Sequence, residues 1–258
     1  MIKFLAVADL HYCHRKQPGE RQNYLSAQKL KKIISQHSAG CDFIVDFGDT
    51  ADSQEGCGDQ RELMGEIADI LKSSALPYYC IIGNHDTSLP KDEITDILSM
   101  PHRYYSFDTK DYTCLVLDAN MNSPDKPYPD REILWAETYL DPEQLEWLKA
   151  SIEKSEKDVL IFCHELFELD NFKDEYDHVI LNKQEAVDIF NSSNKVKAVF
   201  SGHFHYGNHE VHNDIHYMVF NSLCMHEEYT CAVVTIDDGK VKIDGFGLQP
   251  SIEFELKK

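Results

Sequence analysis

Basic residues are scarce in this chain: 25 Lys and Arg stand against 45 Asp and Glu, which gives a formal net charge of −20. A field of that sign repels polyanions, so we expect no long DNA or RNA partner. The densest lysine group, Lys29 with Lys31 and Lys32, fits the solvent-facing side of a helix better than a binding patch.

Long apolar runs and closely paired cysteines are also missing. The apolar start of the chain reaches Asp9 too soon to be a secretory signal, and no run approaches the length of a membrane helix. We therefore expect a cytoplasmic protein with no membrane insertion. The eight cysteines include no Cys-x-x-Cys pair, and several lie in or beside apolar runs where Cys packs as a small hydrophobe. Neither a disulfide framework nor a thiolate zinc site is expected.

What is present predicts an α/β protein. With 258 residues, 42% hydrophobic and 27% charged, the chain is typical of a globular protein, and we expect one domain over residues 1–258. Apolar runs rich in β-branched and aromatic residues predict buried strands at Ile2–Val7, Phe43–Phe47, Tyr78–Ile82, Cys114–Leu117, Val159–Cys163 and Val196–Phe200. Helical patterns lie at Leu25–Ile34, Arg61–Leu71, Pro142–Ile152 and Lys183–Phe190, the third after an Asp141 cap.

The two ends of the chain differ in pattern. The first half predicts a βαβαβ order, whereas after Gly207 alternating strands with turn signals at 213–214 and 237–239 predict an antiparallel run that closes the domain, with a second sheet. Residues 119–139 hold three prolines and predict a long ordered loop.

Carboxylate, amide and imidazole groups follow strand after strand, where open α/β sheets build their sites. They are Asp9 and His11 after the first strand, Asp49 after the second, Asn84, His85 and Asp86 after the third, His164 after the fifth, and His203 and His205 after the sixth. Each alone is explained by turn chemistry or packing. Five strand ends together predict a metal site, because buried charges need partners.

The donor types narrow the choice of metal. Imidazole and carboxylate without thiolate suit manganese, iron, zinc or nickel better than calcium or a structural zinc. Seven donor groups are too many for one open catalytic ion, but they suffice for two ions if a carboxylate bridges them.

The order of these blocks, Asp-x-His, Gly-Asp, Gly-Asn-His-Asp, His and Gly-His-x-His, resembles the calcineurin-like metallophosphoesterase superfamily from Asp9 to His205. The resemblance implies a four-layer α/β/β/α fold, a β-sandwich of two mixed sheets flanked by helices. It also implies two divalent ions, with manganese or iron favoured, and a bridging hydroxide that attacks a small phosphate ester. The implied ligands are Asp9, His11 and His205 for one ion, Asn84, His164 and His203 for the other, and Asp49 between them. His85 is implied as the group that stabilises the transition state or protonates the leaving oxygen, with Asp86 orienting its ring.

The choice of ester depends on weaker signals. Protein phosphatases of this superfamily carry an Arg soon after the Gly-Asp block, and its absence here favours a phosphodiester, although Arg15 is a possible substitute. The segments 115–118 and 143–148 resemble the branch of cyclic-nucleotide phosphodiesterases and glycerophosphodiesterases. Ala119 and Glu165 depart from that branch, in which Ser and His are frequent at these positions.

Three alternatives stay open: a phosphomonoesterase or protein phosphatase of the same superfamily, a catalytically weak metal-binding interaction module, and, against the acidic balance, a nuclease. The sequence gives no signal for the oligomeric state. Five side chains are candidates for the substrate pocket, although ordinary packing or surface exposure is the favoured interpretation of each. They are Tyr12, His14, Tyr128, Trp135 and Tyr206.

Overall fold

The computed structural model describes residues 1–16, 19–121, 136–172 and 178–257. Its strands are β1 (Ile2–Val7), β2 (Phe43–Asp46), β3 (Tyr78–Cys80), β4 (Tyr105–Asp108), β5 (Tyr112–Val116), β6 (Asp158–Phe162), β7 (Val196–Ser201), β8 (Tyr206–His212), β9 (Ile215–Asn221), β10 (Cys231–Asp237), β11 (Lys240–Phe246) and β12 (Ile252–Glu255). Its helices are α1 (Ser26–His37), α2 (Gln60–Lys72), α3 (Lys91–Leu98), α4 (Pro142–Lys154) and α5 (Lys183–Asn191).

Two mixed sheets of six strands form the sandwich. Sheet one has the order β12-β11-β10-β1-β2-β3, and sheet two has the order β4-β5-β6-β7-β9-β8. Strands β1, β2 and β3 are parallel, as are β5, β6, β7 and β9. The predicted βαβαβ order of the first half is confirmed. The carboxyl ends of the parallel strands therefore carry the connecting loops in both sheets.

Successive residues along the strands of sheet two face opposite sides of the sheet, one towards sheet one and the other towards the helices. Val116 and Phe162 face the core shared with sheet one, while their neighbours Leu115 and Ile161 pack under α4 and α5. Between the sheets the ring of Phe4 meets that of Phe162 edge to face at 5.8 Å. The predicted sandwich of two mixed sheets flanked by helices is confirmed.

The run after Gly207 is divided between the sheets. Strands β8 and β9 form an antiparallel hairpin whose inner strand pairs in parallel with β7, so this hairpin extends sheet two. Strands β10 to β12 return to sheet one, where β10 pairs antiparallel with β1. The antiparallel pairing is confirmed, but the run forms no sheet of its own, because β1 leaves an open edge that β10 fills.

The helix predictions are confirmed within a few residues at each end. Asp141 caps α4 as expected, since its Oδ1 accepts a hydrogen bond from the backbone N–H of Glu143 at 2.7 Å. The solvent-facing prediction for Lys29 is wrong: its side chain is buried, and Nζ donates to the carbonyl of Leu223 at 3.0 Å. Within the described ranges, no helix has the length and apolar character that crossing a membrane requires.

Candidate metal centre

Loops at the carboxyl ends of five strands meet where the two sheets adjoin. Sheet one supplies Asp9 and His11 after β1, Asp49 after β2, and Asn84 and His85 in a short 3₁₀ helix, Asn84–Ser88, after β3. Sheet two supplies His164 after β6, and His203 and His205 after β7. The structure therefore brings all seven predicted ligands and His85 to one region, although they are far apart in the sequence.

Asp49 lies at the centre of this cluster. Its Oδ2 is 3.3 Å from Nε2 of His11 and 3.3 Å from Nε2 of His164, so one carboxylate faces imidazoles from both sheets. Its Oδ1 accepts a hydrogen bond from the backbone N–H of His85 at 2.8 Å. Two donor groups share this carboxylate, each with its ligand atoms within 4.8 Å of one another. They are Asp9, His11 and Asp49, and Asp49, His164 and His203.

The remaining predicted ligands extend these groups. Nε2 of His205 lies 3.1 Å from Nε2 of His11 and 3.6 Å from Oδ1 of Asp9, which adds it to the first group. Asn84 is buried, and it lines the same cleft as Asp49 and His203. The structure thus brings His205 close to Asp9 and His11, and His203 close to His164, while Asn84 lines the cleft that these groups share.

The backbone is strained where these side chains begin. Among the described residues, nine that are not glycine have a positive φ, and four of these are candidate ligands: Asp9 (53°), His11 (46°), Asp49 (52°) and His203 (67°). Left-handed backbone is uncommon for such side chains, and strain of this kind concentrates at functional sites. The surrounding structure must therefore hold these loops in place.

Two glycines allow the loops after β2 and β3 to touch. Gly48 has a φ of 91°, and a Cβ there would lie 2.7 Å from the backbone nitrogen of Gly83. A Cβ on Gly83 would lie 2.2 Å from the backbone nitrogen and from Oδ1 of Asp49. Only residues without a side chain fit at these two positions, so the approach of the loops that positions Asp49 depends on them.

Buried hydrogen bonds fix the rings of two candidate ligands. Nδ1 of His164 lies 2.7 Å from the carbonyl oxygen of Phe47, to which it donates, and this leaves Nε2 facing Asp49. Nδ1 of His11 lies 2.7 Å from Oδ1 of Asp52. Metal-binding imidazoles are commonly oriented in this way by a carboxylate or a carbonyl.

The predicted role of Asp86 needs correction. Its carboxylate accepts hydrogen bonds from the backbone N–H groups of Gly83 at 2.9 Å and of Thr50 at 2.9 Å, so it holds the loops after β2 and β3 together. The carboxylate beside the ring of His85 is that of Asp52, whose Oδ1 lies 3.2 Å from Nδ1. Asp86 therefore contacts the backbone of its own turn and of the β2 loop, and Asp52 is the carboxylate that lies beside the ring of His85.

Burial and charge set the protonation of the cluster. Burial raises the pKa of Asp9 to about 7, and the carboxylate of Asp49 adds to the rise against the opposing effect of His164. Burial also disfavours the ionised form of Asp49, yet the imidazoles of His164 and His85 hold its pKa well below the ordinary value. Burial lowers the pKa of His203 and of His205 well below the usual range. Burial opposes a charge on His164, yet the carboxylate of Asp49 raises its pKa well above the usual value. The neutral imidazoles of His203 and His205 beside the ionised carboxylate of Asp49 are donors for a cation.

Two ring nitrogens face each other on each side of the cluster. Nδ1 of His203 lies 3.2 Å from Nε2 of His164, and Nε2 of His205 lies 3.1 Å from Nε2 of His11. Nitrogen lone pairs that converge in this way are the donors that a shared cation uses. The residues present thus fit divalent cations in both donor groups.

The cleft beside the cluster, of about 280 Å³, contains residues that the sequence did not mark. Arg21 lines it, with Nη1 3.2 Å from Nδ1 of His11, and His178 lines it beside Phe204. No spacing or strand end identifies Arg21, which lies in the loop before α1. Arg15, the substitute that the sequence suggested, is exposed.

The aromatic candidates divide into three groups. Tyr206 lines the cleft and is 68% exposed. Tyr12 and His14 turn towards α2 instead, where both contact the carboxylate of Glu66, so packing explains them. Tyr128 and Trp135 lie outside the described residues.

A four-layer sandwich with carboxylates and imidazoles gathered at its strand ends has the architecture of a metal-dependent protein. Residues 2–207 match the calcineurin-like phosphoesterase family, and the chain therefore belongs to it. The resemblance deduced from the sequence blocks is confirmed.

Known proteins place the chain among hydrolases of this family at low identity. In an alignment of 261 positions it is 27% identical to a manganese-dependent ADP-ribose/CDP-alcohol diphosphatase of Oryza sativa subsp. japonica. The alignment covers 82% of this chain and 79% of that protein. The chain is 25% identical over 189 residues to a probable cyclic nucleotide phosphodiesterase of Fibrobacter succinogenes, covering 72% of this chain and 64% of that one, less than two thirds of its length. A dimetal phosphatase from Danio rerio shares the fold, with a TM-score of 0.82, 16% identity and 99% coverage of both chains.

Proposed function

We propose that this chain hydrolyses a small phosphodiester, of the cyclic nucleotide or glycerophosphodiester type, with two divalent metal ions. The observation that carries the proposal is the position of Asp49, which is common to two donor groups. In this arrangement Asp9, His11 and His205 hold one ion, Asn84, His164 and His203 hold the other, and Asp49 bridges them. When bound, the two ions supply the positive charge that activates water and neutralises phosphoryl oxygens.

Arg21 provides a further positive charge at the cleft. Its guanidinium lies within 3.2 Å of His11, so it can donate to a phosphoryl oxygen of an ester bound beside the first donor group. A planar guanidinium matches phosphate geometry and keeps its charge at all relevant pH values. We assign Arg21 the phosphate-binding role for which the sequence offered only Arg15.

His85 is positioned to act on the leaving group. Its ring lines the cleft, and Asp52 lies 3.2 Å from Nδ1, which holds the ring and favours a proton on that side. Because His85 is outside both donor groups of the proposal, its ring is available to donate a proton or a hydrogen bond to the departing oxygen. In hydrolysis, the oxygen of water bonds to phosphorus, the ester P–O bond breaks and the leaving oxygen takes up a proton.

The position of Arg21 bears on whether the substrate is a diester. The missing Arg after Asp49 no longer favours a diester, because another arginine reaches the cleft from a different loop. The support that remains is in the relatives, whose names specify a cyclic nucleotide phosphodiesterase and a diphosphatase of ADP-ribose and CDP-alcohols. The latter favours a second candidate, cleavage of a diphosphate bond between two esterified phosphates.

The bridging role is tested with Asp49→Asn, which keeps the size of the side chain and removes its charge. We expect purified protein with added manganese to hydrolyse bis(4-nitrophenyl) phosphate, and the variant to lose at least ~100-fold in kcat together with one or both ions in elemental analysis. Asp69→Asn, an exposed position on α2, is the matched control. Full activity of Asp49→Asn with two ions retained would refute the bridge, and two bound ions without hydrolysis in the unaltered protein would favour the interaction module.

The type of ester is tested by comparing the rates at which the protein cleaves different substrates. We expect a larger kcat/KM for the aryl diester than for 4-nitrophenyl phosphate, and faster monoester cleavage would favour the phosphomonoesterase alternative. ADP-ribose and a 2′,3′-cyclic nucleotide, each assayed by product chromatography, separate the diphosphatase candidate from the diesterase.

A further inference from the structure

Cys224 lies against the first donor group, just after β9. The segment that carries it is fixed to the end of β1: the backbone N–H of Leu223 donates to the carbonyl of Ala8 at 2.9 Å, and that of Cys224 donates to the carbonyl of Asp9 at 3.3 Å. The hydroxyl of Ser222 also donates to the Asp9 carbonyl, at 3.0 Å. The thiol is therefore held at a constant position relative to the loop that carries Asp9 and His11.

The thiol and two imidazoles form a cluster of metal donors. Sγ of Cys224, a ring nitrogen of His11 and a ring nitrogen of His205 all lie within 4.8 Å of one another. Sulfur and nitrogen donors on a tetrahedral zinc ion lie about 3.6 Å apart, because bonds of about 2.3 and 2.1 Å meet at the tetrahedral angle. Side-chain movements of about 1 Å would therefore let the three share an ion. The side chains come from three separate segments, so their convergence does not follow from local sequence.

We propose that Cys224 is a further ligand of the ion held by Asp9, His11 and His205. This inference rests on the proposed two-ion function. An ion bound at that position displaces the thiol proton to solvent, and the thiolate sulfur then completes the donor set. This role for Cys224 departs from the sequence analysis, which expects several cysteines to pack as small hydrophobes and expects no thiolate zinc site.

The two ion sites then differ in chemical character. Asn84, His164 and His203 offer nitrogen and oxygen donors, whereas the site with Cys224 includes sulfur. Soft thiolate favours cadmium, zinc and cobalt over manganese, which prefers oxygen donors. We expect this chain to hold the softer ion at the first donor group.

Cobalt spectroscopy tests the inference. Metal-free protein loaded with two equivalents of Co²⁺ should show a near-ultraviolet charge-transfer band from thiolate to cobalt, together with visible d–d bands from both ions. Cys224→Ala should lose the near-ultraviolet band and keep the visible bands. Cys231→Ala, which removes a buried thiol from β10 in the same way, should keep both. The affinity for Cd²⁺ should fall by roughly tenfold or more in Cys224→Ala, with the affinity for Mn²⁺ unchanged.

The outcomes separate this inference from the proposed function. Absence of the near-ultraviolet band in unaltered protein that holds two cobalt ions, or its persistence in Cys224→Ala, overturns the role of Cys224 and leaves the two-ion centre standing. Failure of the unaltered protein to bind cobalt overturns both. If Cys224→Ala does not fold, Cys224→Ser serves in its place, because a hydroxyl near Ser222 preserves the polar contact and gives no sulfur band.

Discussion

Among the described residues, left-handed backbone occurs after helices α2 and α3, in the strand-end loops of the candidate metal centre and in the hairpin turns of the carboxyl-terminal half, and the last two settings differ in cause. In the β8–β9 hairpin, Asn213 and Asp214 have φ values of 50° and 65°, and both are residue types that suit such turns. In the candidate metal centre, Asp9, His11 and His203 adopt similar angles just after strands β1 and β7, where no two-residue hairpin turn requires them. The hairpins follow local turn chemistry, whereas the loops of the centre are imposed by the packing around them.

The largest expected effect comes from a pair of glycines that share a φ but differ in surroundings. Gly48 has a φ of 91°, and a Cβ there would lie 2.7 Å from the backbone of the β3 loop, whereas Gly239 in the β10–β11 turn has a φ of 77°, and a Cβ there would lie 3.7 Å from its nearest neighbour. We expect Gly48→Ala to lower the free energy of unfolding by ~3 kcal/mol or more, and Gly239→Ala by ~1 kcal/mol. Urea denaturation measures both, and equal losses would contradict the distinction between the two settings.

Metal removal should affect one setting and spare the other. Ions that bind only the folded state stabilise it by ~2.7 kcal/mol at a concentration one hundred times the Kd, so chelation should lower Tm. Amide hydrogen exchange is then expected to speed up at Asp9, His11 and Asp49 and to stay constant at Asn213 and Asp214. A uniform change across both settings would show that the ions stabilise the fold as a whole and not these loops.

Asp52 tests whether the centre depends on its supporting carboxylates. It lies 2.7 Å from Nδ1 of His11 and 3.2 Å from Nδ1 of His85, so Asp52→Asn should reduce metal affinity or kcat by roughly 10- to 100-fold. Asp214→Asn in the hairpin turn is the matched change and should alter neither. Calorimetric titration with Mn²⁺ and steady-state kinetics give the two values, and an unchanged Asp52→Asn protein would refute the supporting role.

Arg21 allows a comparison with an arginine outside the cleft. Arg21→Ala should reduce kcat/KM by about 10- to 100-fold, the size of a charge-assisted hydrogen bond of ~1.5–3 kcal/mol, with metal content unchanged. Arg61→Ala removes an exposed arginine paired with Glu93 and should have no measurable effect on kcat/KM. Equal kinetics in both variants would exclude a phosphate contact for Arg21.

The smallest effect is expected in the hairpin itself. Asn213→Ala places a residue with a lower preference for left-handed backbone in the turn between β8 and β9, so the free energy of unfolding should fall by ~1 kcal/mol or less. Activity should not change. A loss of metal binding in this variant would show that the hairpin supports the strand-end loops of the centre, so that the two settings would not be independent.

Strand ends explain how much of this molecule was predictable. A strand of β-branched residues followed at once by Asp, Asn or His is visible in the sequence, and all seven predicted ligands meet in the structure. The sequence does not predict a site role for Arg21, Asp52 or Cys224, because their positions depend on contacts between distant segments. The sequence analysis does not predict strand β4, an edge strand with an exposed face, or helix α3, which has only eight residues.

The pairing of β1 with β10 has a consequence for the order of assembly during synthesis. Ile2 lies opposite Ile236 in the register, so one edge of the strand that leads to Asp9 finds its partner only after some 230 further residues have been made. The segment that fixes the Asp9 carbonyl also arrives late, at 222–224. A nascent chain that has already emerged with His205 therefore holds all seven ligands predicted from the sequence, but it still lacks Cys224 and the strand that completes the sheet beneath them.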